Sequence, residues 1–180
     1  RTVDGELVLM DCGAEYHGYS ADISRTFPIN GRFSPEQRAI YDLVLRAQQV
    51  GIEACRSGNY FIEPHRRAGQ VLAEGLIELG IIRDAQELGQ YFPHGTSHYL
   101  GLDVHDAGNI AAKLEPGVIL TVEPGIYIPA GSPCDPKWWN IGIRIEDDIL
   151  VTDGDPENLS VALERTADDI ERLMREKGGS

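Results

Sequence analysis

Long apolar runs, a basic surface and a cysteine framework are all missing from this 180-residue chain, and each absence removes a class of function. No stretch approaches the roughly 20 apolar residues a membrane-spanning helix needs, and no signal-peptide pattern opens the sequence. Lysine and arginine number 16 against 29 aspartates and glutamates, a formal net charge of −13. That balance argues against nucleic acid or an anionic membrane surface as a partner. The three cysteines, Cys12, Cys55 and Cys134, form no CxxC pair and leave an odd thiol. Neither a disulfide scaffold nor a structural zinc site is therefore expected, and a reducing, cytoplasmic setting is. Cys12 itself reads as a small packed strand residue. Internal repeats and low-complexity segments are also lacking.

What is present suffices for one domain, since 42% of the residues are hydrophobic and can form a sizeable core. Residues 6–13 form an apolar strand run, and a second run follows near residues 21–29 across a polar, glycine-containing stretch. Two strands around such a loop predict a hairpin that brings Asp11 and Asp22 side by side. Ser34, Pro35 and Gln37 spell a helix start with a capping box, and apolar residues at Ile40, Leu43, Val44, Ala47, Gly51 and Ala54 keep the helical period to about Arg56. A second helix is predicted from Pro64 to just before Gly80, and a last amphipathic one from Ala167. Residues 118–124, 125–129 and 142–152 are rich in isoleucine and valine and read as strands, with a proline-rich loop from Pro129 to Trp139 between them. The order predicts an α+β fold with a largely antiparallel sheet and two helices on one side of it. No internal domain break is expected within residues 1–180. The chain starts Arg1-Thr2-Val3-Asp4-Gly5, without methionine, and is read as a piece of a longer protein.

Four acidic residues sit where strands should be half buried. Asp11 and Asp22 fall within or at the ends of apolar runs, and Glu123 and Glu146 interrupt β-branched strands. Singly, each aspartate reads as a turn or capping residue. Together they pose a charge problem, because a buried carboxylate needs a proton, a cation or several donors. A bound cation cluster solves it. Three of the five histidines, His94, His98 and His105, lie within a dozen residues. They could form a three-histidine zinc site, but Gly95 and Gly101 weaken a helical ligand pair, so a division of labour is preferred: one histidine as ligand, the others lining a pocket. One imidazole among four carboxylates is an oxygen-rich set that favours Mn²⁺, with Co²⁺, Fe²⁺ or Zn²⁺ as alternatives.

The stretches DCGAEYHGYSADISRTFPING, HGTSHYLGLDVHD, TVEPGIYI and GIRIEDD resemble those of the Xaa-Pro aminopeptidases, proline-specific metallopeptidases of the pita-bread fold. The resemblance runs over nearly all of the chain. It implies a pair of divalent metal ions, with Asp11 holding one, Asp22 and Glu146 bridging both, and His98 and Glu123 completing the other. His94, His105, Glu123 and Arg144 would contact substrate or serve the reaction. The implied substrate is a peptide with proline at the second position, and the implied full-length protein a homo-oligomer. Prolidases carry near-identical motifs, so cleavage of Xaa-Pro dipeptides is the alternative, and a non-catalytic binding module or inactive fragment is the reading from another class. In the family, a further stretch with another active-site histidine and a separate N-terminal domain precede this region, and both are expected to be missing here.

Overall fold

The apolar run after Glu6 does form a hairpin. In a computed structural model, which describes residues 1–177, β1 (Leu7–Cys12) pairs antiparallel with β4 (Ile23–Pro28), with Asp11 opposite Ser24 and Cys12 opposite Ile23. A small ladder of β2 (Glu15–Tyr16) and β3 (Tyr19–Ser20) caps its tip. The neck below that tip is tight. The Ala21 N–H donates to the Ala14 carbonyl at 2.9 Å, and a Cβ at Gly13 would strike the Ala21 carbonyl, so only glycine fits there.

The capping box holds α1 (Pro35–Glu53) as predicted: Ser34 Oγ accepts from Gln37 N–H, and Gln37 Oε1 accepts from Ser34 N–H at 2.9 Å. The helix stops at Glu53, short of the expected Arg56. Asn59 Nδ2 donates to the Ala54 carbonyl at 2.9 Å and satisfies a group the next turn would have used. After it, α2 (Glu63–Glu78) lies along α1 so closely that a Cβ on Gly75 would collide with the buried Leu43 side chain.

The strands expected over 118–124 and 125–129 form as β5 (Ile119–Val122) and β6 (Gly125–Ile128), whereas the run expected as one strand over 142–152 is broken into β7 (Ile141–Arg144) and β8 (Asp147–Leu150). β5 pairs with β8, Val122 opposite Asp147, while β6 pairs with β7, Gly125 opposite Arg144. Both ladders keep one register, so Glu123 and Glu146 come opposite each other in the gap between them. The break has a chemical cause. Pro124 has no N–H to donate, and the Glu146 N–H donates instead to the Ser24 carbonyl of β4 at 3.0 Å.

Helix α1 packs on β6 and β7 and α2 packs on α1, with Ile40, Leu43, Leu72, Leu76, Ile126, Ile128 and Ile143 in the main core. A smaller core of Phe61, Leu114, Leu120, Val122 and Ile149 lies behind β5 and β8. A short β9 (Glu157–Asn158) extends β8, and α3 (Ala167–Lys177) docks through Ala167 and Ile170. The loop after Pro129 contains one 3₁₀ turn, Pro136–Trp138. The α+β expectation holds, with antiparallel pairing in every ladder among the described residues. Cys12 departs from expectation: it is exposed rather than packed, because it and Met10 face an open apolar groove between the first hairpin and α3.

The Gly75–Leu43 contact generates a stability test. Any side chain at position 75 drives its Cβ into the buried Leu43, and valine adds further volume there, an overpacking that costs ~1–3 kcal/mol. Gly75→Val should lower the urea midpoint accordingly; an unchanged midpoint would show that the two helices separate freely.

Candidate metal centre

His98 is the residue around which the acidic groups gather. Its backbone is locked to β5: its N–H donates to Thr121 Oγ1 at 3.1 Å and its carbonyl accepts from Thr121 N–H at 3.0 Å. Two residues earlier, the Thr96 carbonyl accepts from Glu123 N–H at 2.8 Å, so this segment carries His98 and Glu123 in together. The His98 ring places Nδ1 at 3.1 Å from the Tyr99 carbonyl, an atom that can only accept. Nδ1 therefore carries a proton, and Nε2 is the ring atom turned toward the acidic groups. That atom lies 3.4 Å from Asp22 Oδ2, 3.7 Å from Glu123 Oε1 and 3.9 Å from Glu146 Oε1.

Asp22, His98 and Glu146 offer donor atoms that all lie within 4.8 Å of one another. Glu123 adjoins the group through His98 and through its position opposite Glu146. Asp11 stands at the edge, more exposed, beside Asp22 as the hairpin predicts, and its Oδ2 accepts from Arg144 Nη2 at 2.6 Å. Arg144 is held at every nitrogen: Nε donates to Ser24 Oγ at 2.9 Å and Nη1 to the Tyr127 hydroxyl at 3.3 Å. The Ser24 hydroxyl in turn donates a hydrogen bond to Glu146 Oε2 at 2.7 Å.

The other two histidines have different surroundings. His94 Nδ1 lies 2.8 Å from the Gly95 carbonyl, so its Nε2 accepts from the Tyr127 hydroxyl, also at 2.8 Å. His105 is exposed, its ring edge-on to His98 with centroids 4.4 Å apart. The three-histidine zinc alternative does not form, because both His94 nitrogens are taken and only His98 joins the donor group. Residues 94–98 are also irregular rather than helical.

Burial dominates the electrostatics. It pushes Glu146 up to about 8, with Glu123 adding to the rise and the Ser24 hydroxyl opposing it. It pushes Glu123 up to about 7 against the pull of Arg144, and it raises Asp22, helped by Asp11. Burial also lowers His94 and keeps it neutral. One guanidinium among four carboxylates leaves the cluster short of positive charge. A divalent cation supplies it, and the donor set of carboxylates plus one imidazole suits a hard or borderline ion. The residues fit such a group.

Several contributors escaped the sequence reading. Ser24 could have been found from its register opposite Asp11, and Tyr127 from its alternation with Gly125 on the strand after Glu123. Asp148, whose Oδ2 accepts the Asp22 N–H at 3.2 Å, was visible only as the last acid in the Glu146–Asp148 run. Beneath the site, Asp147 is buried in contact with Arg25 at 2.7 Å and Arg165 at 3.1 Å, and Gln48 and Asn158 donate to it as well. No local pattern announces that network.

Comparison with known proteins gives a consistent set of matches. The profile of metallopeptidase family M24 matches residues 1–153. The chain is 44% identical to the Xaa-Pro aminopeptidase of Escherichia coli K12, over 95% of this chain and 41% of that protein. It is 39% identical to the mitochondrial intermediate cleaving peptidase 55 of Arabidopsis thaliana, over 97% of this chain and 36% of the other. Among solved structures, Escherichia coli aminopeptidase P superposes with a TM-score of 0.94 at 42% identity, covering 98% of this chain and 43% of that one. Pseudomonas aeruginosa aminopeptidase PepP gives the same TM-score, identity and coverage. The chain thus spans less than half the length of the relatives it matches, and it has their pita-bread fold.

The raised carboxylates make stability depend on pH in a defined direction. Glu123 and Glu146 hold protons more tightly folded than unfolded, so their contribution is full below pH 4.5 and is lost as pH rises through about 7 and about 8. In EDTA, the melting temperature should fall from about pH 5 to about 8 and level off above, and Glu146→Gln should flatten that fall. His65 and His94, both lowered, act with the opposite sign below their ordinary value of 6.5, so the upper part of the window reads the glutamates. Equal slopes in the two proteins would refute the charge cluster.

Proposed function

The chain belongs to metallopeptidase family M24, and from that membership we propose that residues 1–180 are a metallopeptidase catalytic unit removing the N-terminal residue from peptides with proline in second position. The observation that carries this reading is the group of Asp22, His98 and Glu146 donors within 4.8 Å, in a fold matched to aminopeptidase P. Asp11, Asp22, His98, Glu123 and Glu146 would hold two divalent ions, with Asp22 and Glu146 shared between them and Mn²⁺ the preferred metal. When bound, such ions supply Lewis acidity toward a carbonyl oxygen and acidify water.

The side chains then divide the remaining work. Glu123, 3.7 Å from His98 Nε2 and opposite Glu146 across the strand break, would take up and release the proton as a general base. Asp11 and Asp22, at the acidic edge, attract the free amine that marks a peptide N-terminus. Arg144 is braced between Asp11, Ser24 and Tyr127, which fixes its charge beside the scissile region. Neutral His94 and the Tyr127 hydroxyl share one hydrogen bond, and that pair can deliver a proton to the departing proline nitrogen. His105 stands at the exposed side of His98, where it would touch substrate. Among the described residues, no helix is long and apolar enough to cross a membrane. A cytoplasmic, homo-oligomeric full-length protein completes the proposal.

The test is to load the chain with Mn²⁺, measure its metal content, and assay Xaa-Pro dipeptides and longer Xaa-Pro-Yaa peptides before and after EDTA. Longer peptides should be cut with release of Xaa, and EDTA should stop the reaction. Glu146→Gln should lower kcat/KM by ~10²–10³-fold or more, the scale of losing an electrostatic anchor, with the circular dichroism unchanged. Cleavage of dipeptides alone would make the chain an Xaa-Pro dipeptidase. No bound metal and no hydrolysis would leave a non-catalytic binding module.

A further inference from the structure

The break between β7 and β8 is where Glu146 turns its carboxylate into the site, and β4 lies across it as a splint. On one side of the break, Thr26 Oγ1 donates to the Arg144 carbonyl at 3.0 Å. In the middle, the Ser24 carbonyl accepts from Glu146 N–H at 3.0 Å. On the other side the Asp22 N–H, just before β4, donates to Asp148 Oδ2 at 3.2 Å. These bonds hold the Glu146 N–H but not its carbonyl, which belongs to a residue only 2% exposed.

Arg25 meets that carbonyl. Its Nη1 donates to Glu146 O at 2.6 Å and to Ser24 O at 3.0 Å, so a single nitrogen ties the splint to the ligand residue itself. Nη2 donates to Asp147 Oδ1 at 2.7 Å, and Nε to the Glu164 carbonyl at 2.8 Å. All three nitrogens of this buried guanidinium are engaged, each in its own direction. Lysine, a point charge on a flexible stem, cannot reproduce such a fork.

Neutralising Asp147 does not account for the arrangement. Asp147 Oδ2 already accepts from Gln48 at 3.1 Å, Asn158 at 2.9 Å and Arg165 at 3.1 Å, so that carboxylate is held and has a second guanidinium beside it. Held in this way, Asp147 presents Oδ1 to Arg25 and steers Nη1 onto the strand break. We propose that Arg25 is a positioning residue for the metal centre: it locks the Glu146 peptide in the break and keeps the carboxylate within reach of Asp22 and His98. The identity of the ion rests on the metallopeptidase reading above, in which Glu146 is a shared ligand. A slack Glu146 peptide then weakens metal binding without removing any ligand.

Mn²⁺ is titrated by calorimetry into the metal-free chain and its variants, and amide hydrogen exchange is followed in the same metal-free samples. Arg25→Lys keeps the charge beside Asp147 but loses the fork. It should weaken Mn²⁺ binding about 10–100-fold, the usual cost of removing a partner behind a ligand. It should also speed exchange of the Glu146 N–H while the ladder amides of β7 and β8 stay protected. Arg165→Lys disturbs a donor to the same Asp147 and should bind Mn²⁺ as the wild type does. If Arg25→Lys does not fold, Arg25→Gln combined with Asp147→Asn removes the buried pair together and should show the same loss. Equal losses in the Arg25 and Arg165 variants, or wild-type affinity in the Arg25 variants, overturn the proposal. A wild-type chain that takes up no Mn²⁺ sinks the metallopeptidase reading instead, and exchange then decides for Arg25. A faster Glu146 N–H in the variant upholds its role, and an unchanged one overturns it.

Discussion

Carboxylates withdrawn from water repel one another, and the architecture around His98 depends on how that repulsion is met. An isolated charge buried without a partner costs several kcal/mol, comparable to the whole net stability of a domain. Arg144 answers for Asp11 and braces Ser24, but its single charge cannot serve Glu123, Glu146 and Asp22 as well. The nearest other guanidinium, Arg25, is committed to Asp147. What remains is either protons on Glu123 and Glu146 or metal cations between them. The site is thus poised to exchange one for the other, and its proton and metal occupancies are linked.

The backbone achieves this with few devices. A hairpin brings Asp11 beside Asp22, and a second, interrupted hairpin sets Glu123 opposite Glu146 without changing register. Strand alternation then sorts the Glu146–Asp148 run into two layers. Asp148 reaches Asp22, while Asp147 points the other way into a network with Arg25, Arg165 and Gln48 of α1. The upper layer is left unbalanced and reactive, whereas the lower one is closed by neutralising partners. The helices contribute indirectly: α1 reaches Asp147 through Gln48, and the first turn of α2 touches the Thr96 segment through His65.

Much of this was legible in the residues, and for identifiable reasons. The capping box at Ser34 is a local code, so α1 started where expected, and the adjacency of Asp11 and Asp22 followed from a short hairpin whose turn leaves little freedom in register. Strand interruptions were harder to see. Residues 142–152 are β-like throughout, and the only local sign of a break on either arm is Pro124; the Glu146 N–H leaves its ladder for a carbonyl more than a hundred residues away. Tyr127, Ser24 and His65 act through contacts between distant segments, which periodicity does not report. Cys12 was misjudged because strand pattern shows which residues share a face, not whether another element covers it.

The neck at Gly13 and Ala21 divides the first hairpin into two regions with different freedom to evolve. Below it, Asp11 and Asp22 are tied to the ladder and to Asp148. Above it, residues 15–19 are exposed, and Ser20 is held to the body by a backbone bond to Gly101. Insertions or deletions at the tip can therefore reshape the rim without moving a carboxylate, while Gly13 tolerates no side chain at all. Among descendants of such a chain, variation in length would collect at the tip and invariance at the neck, and divergence there would alter what approaches the site rather than what happens in it.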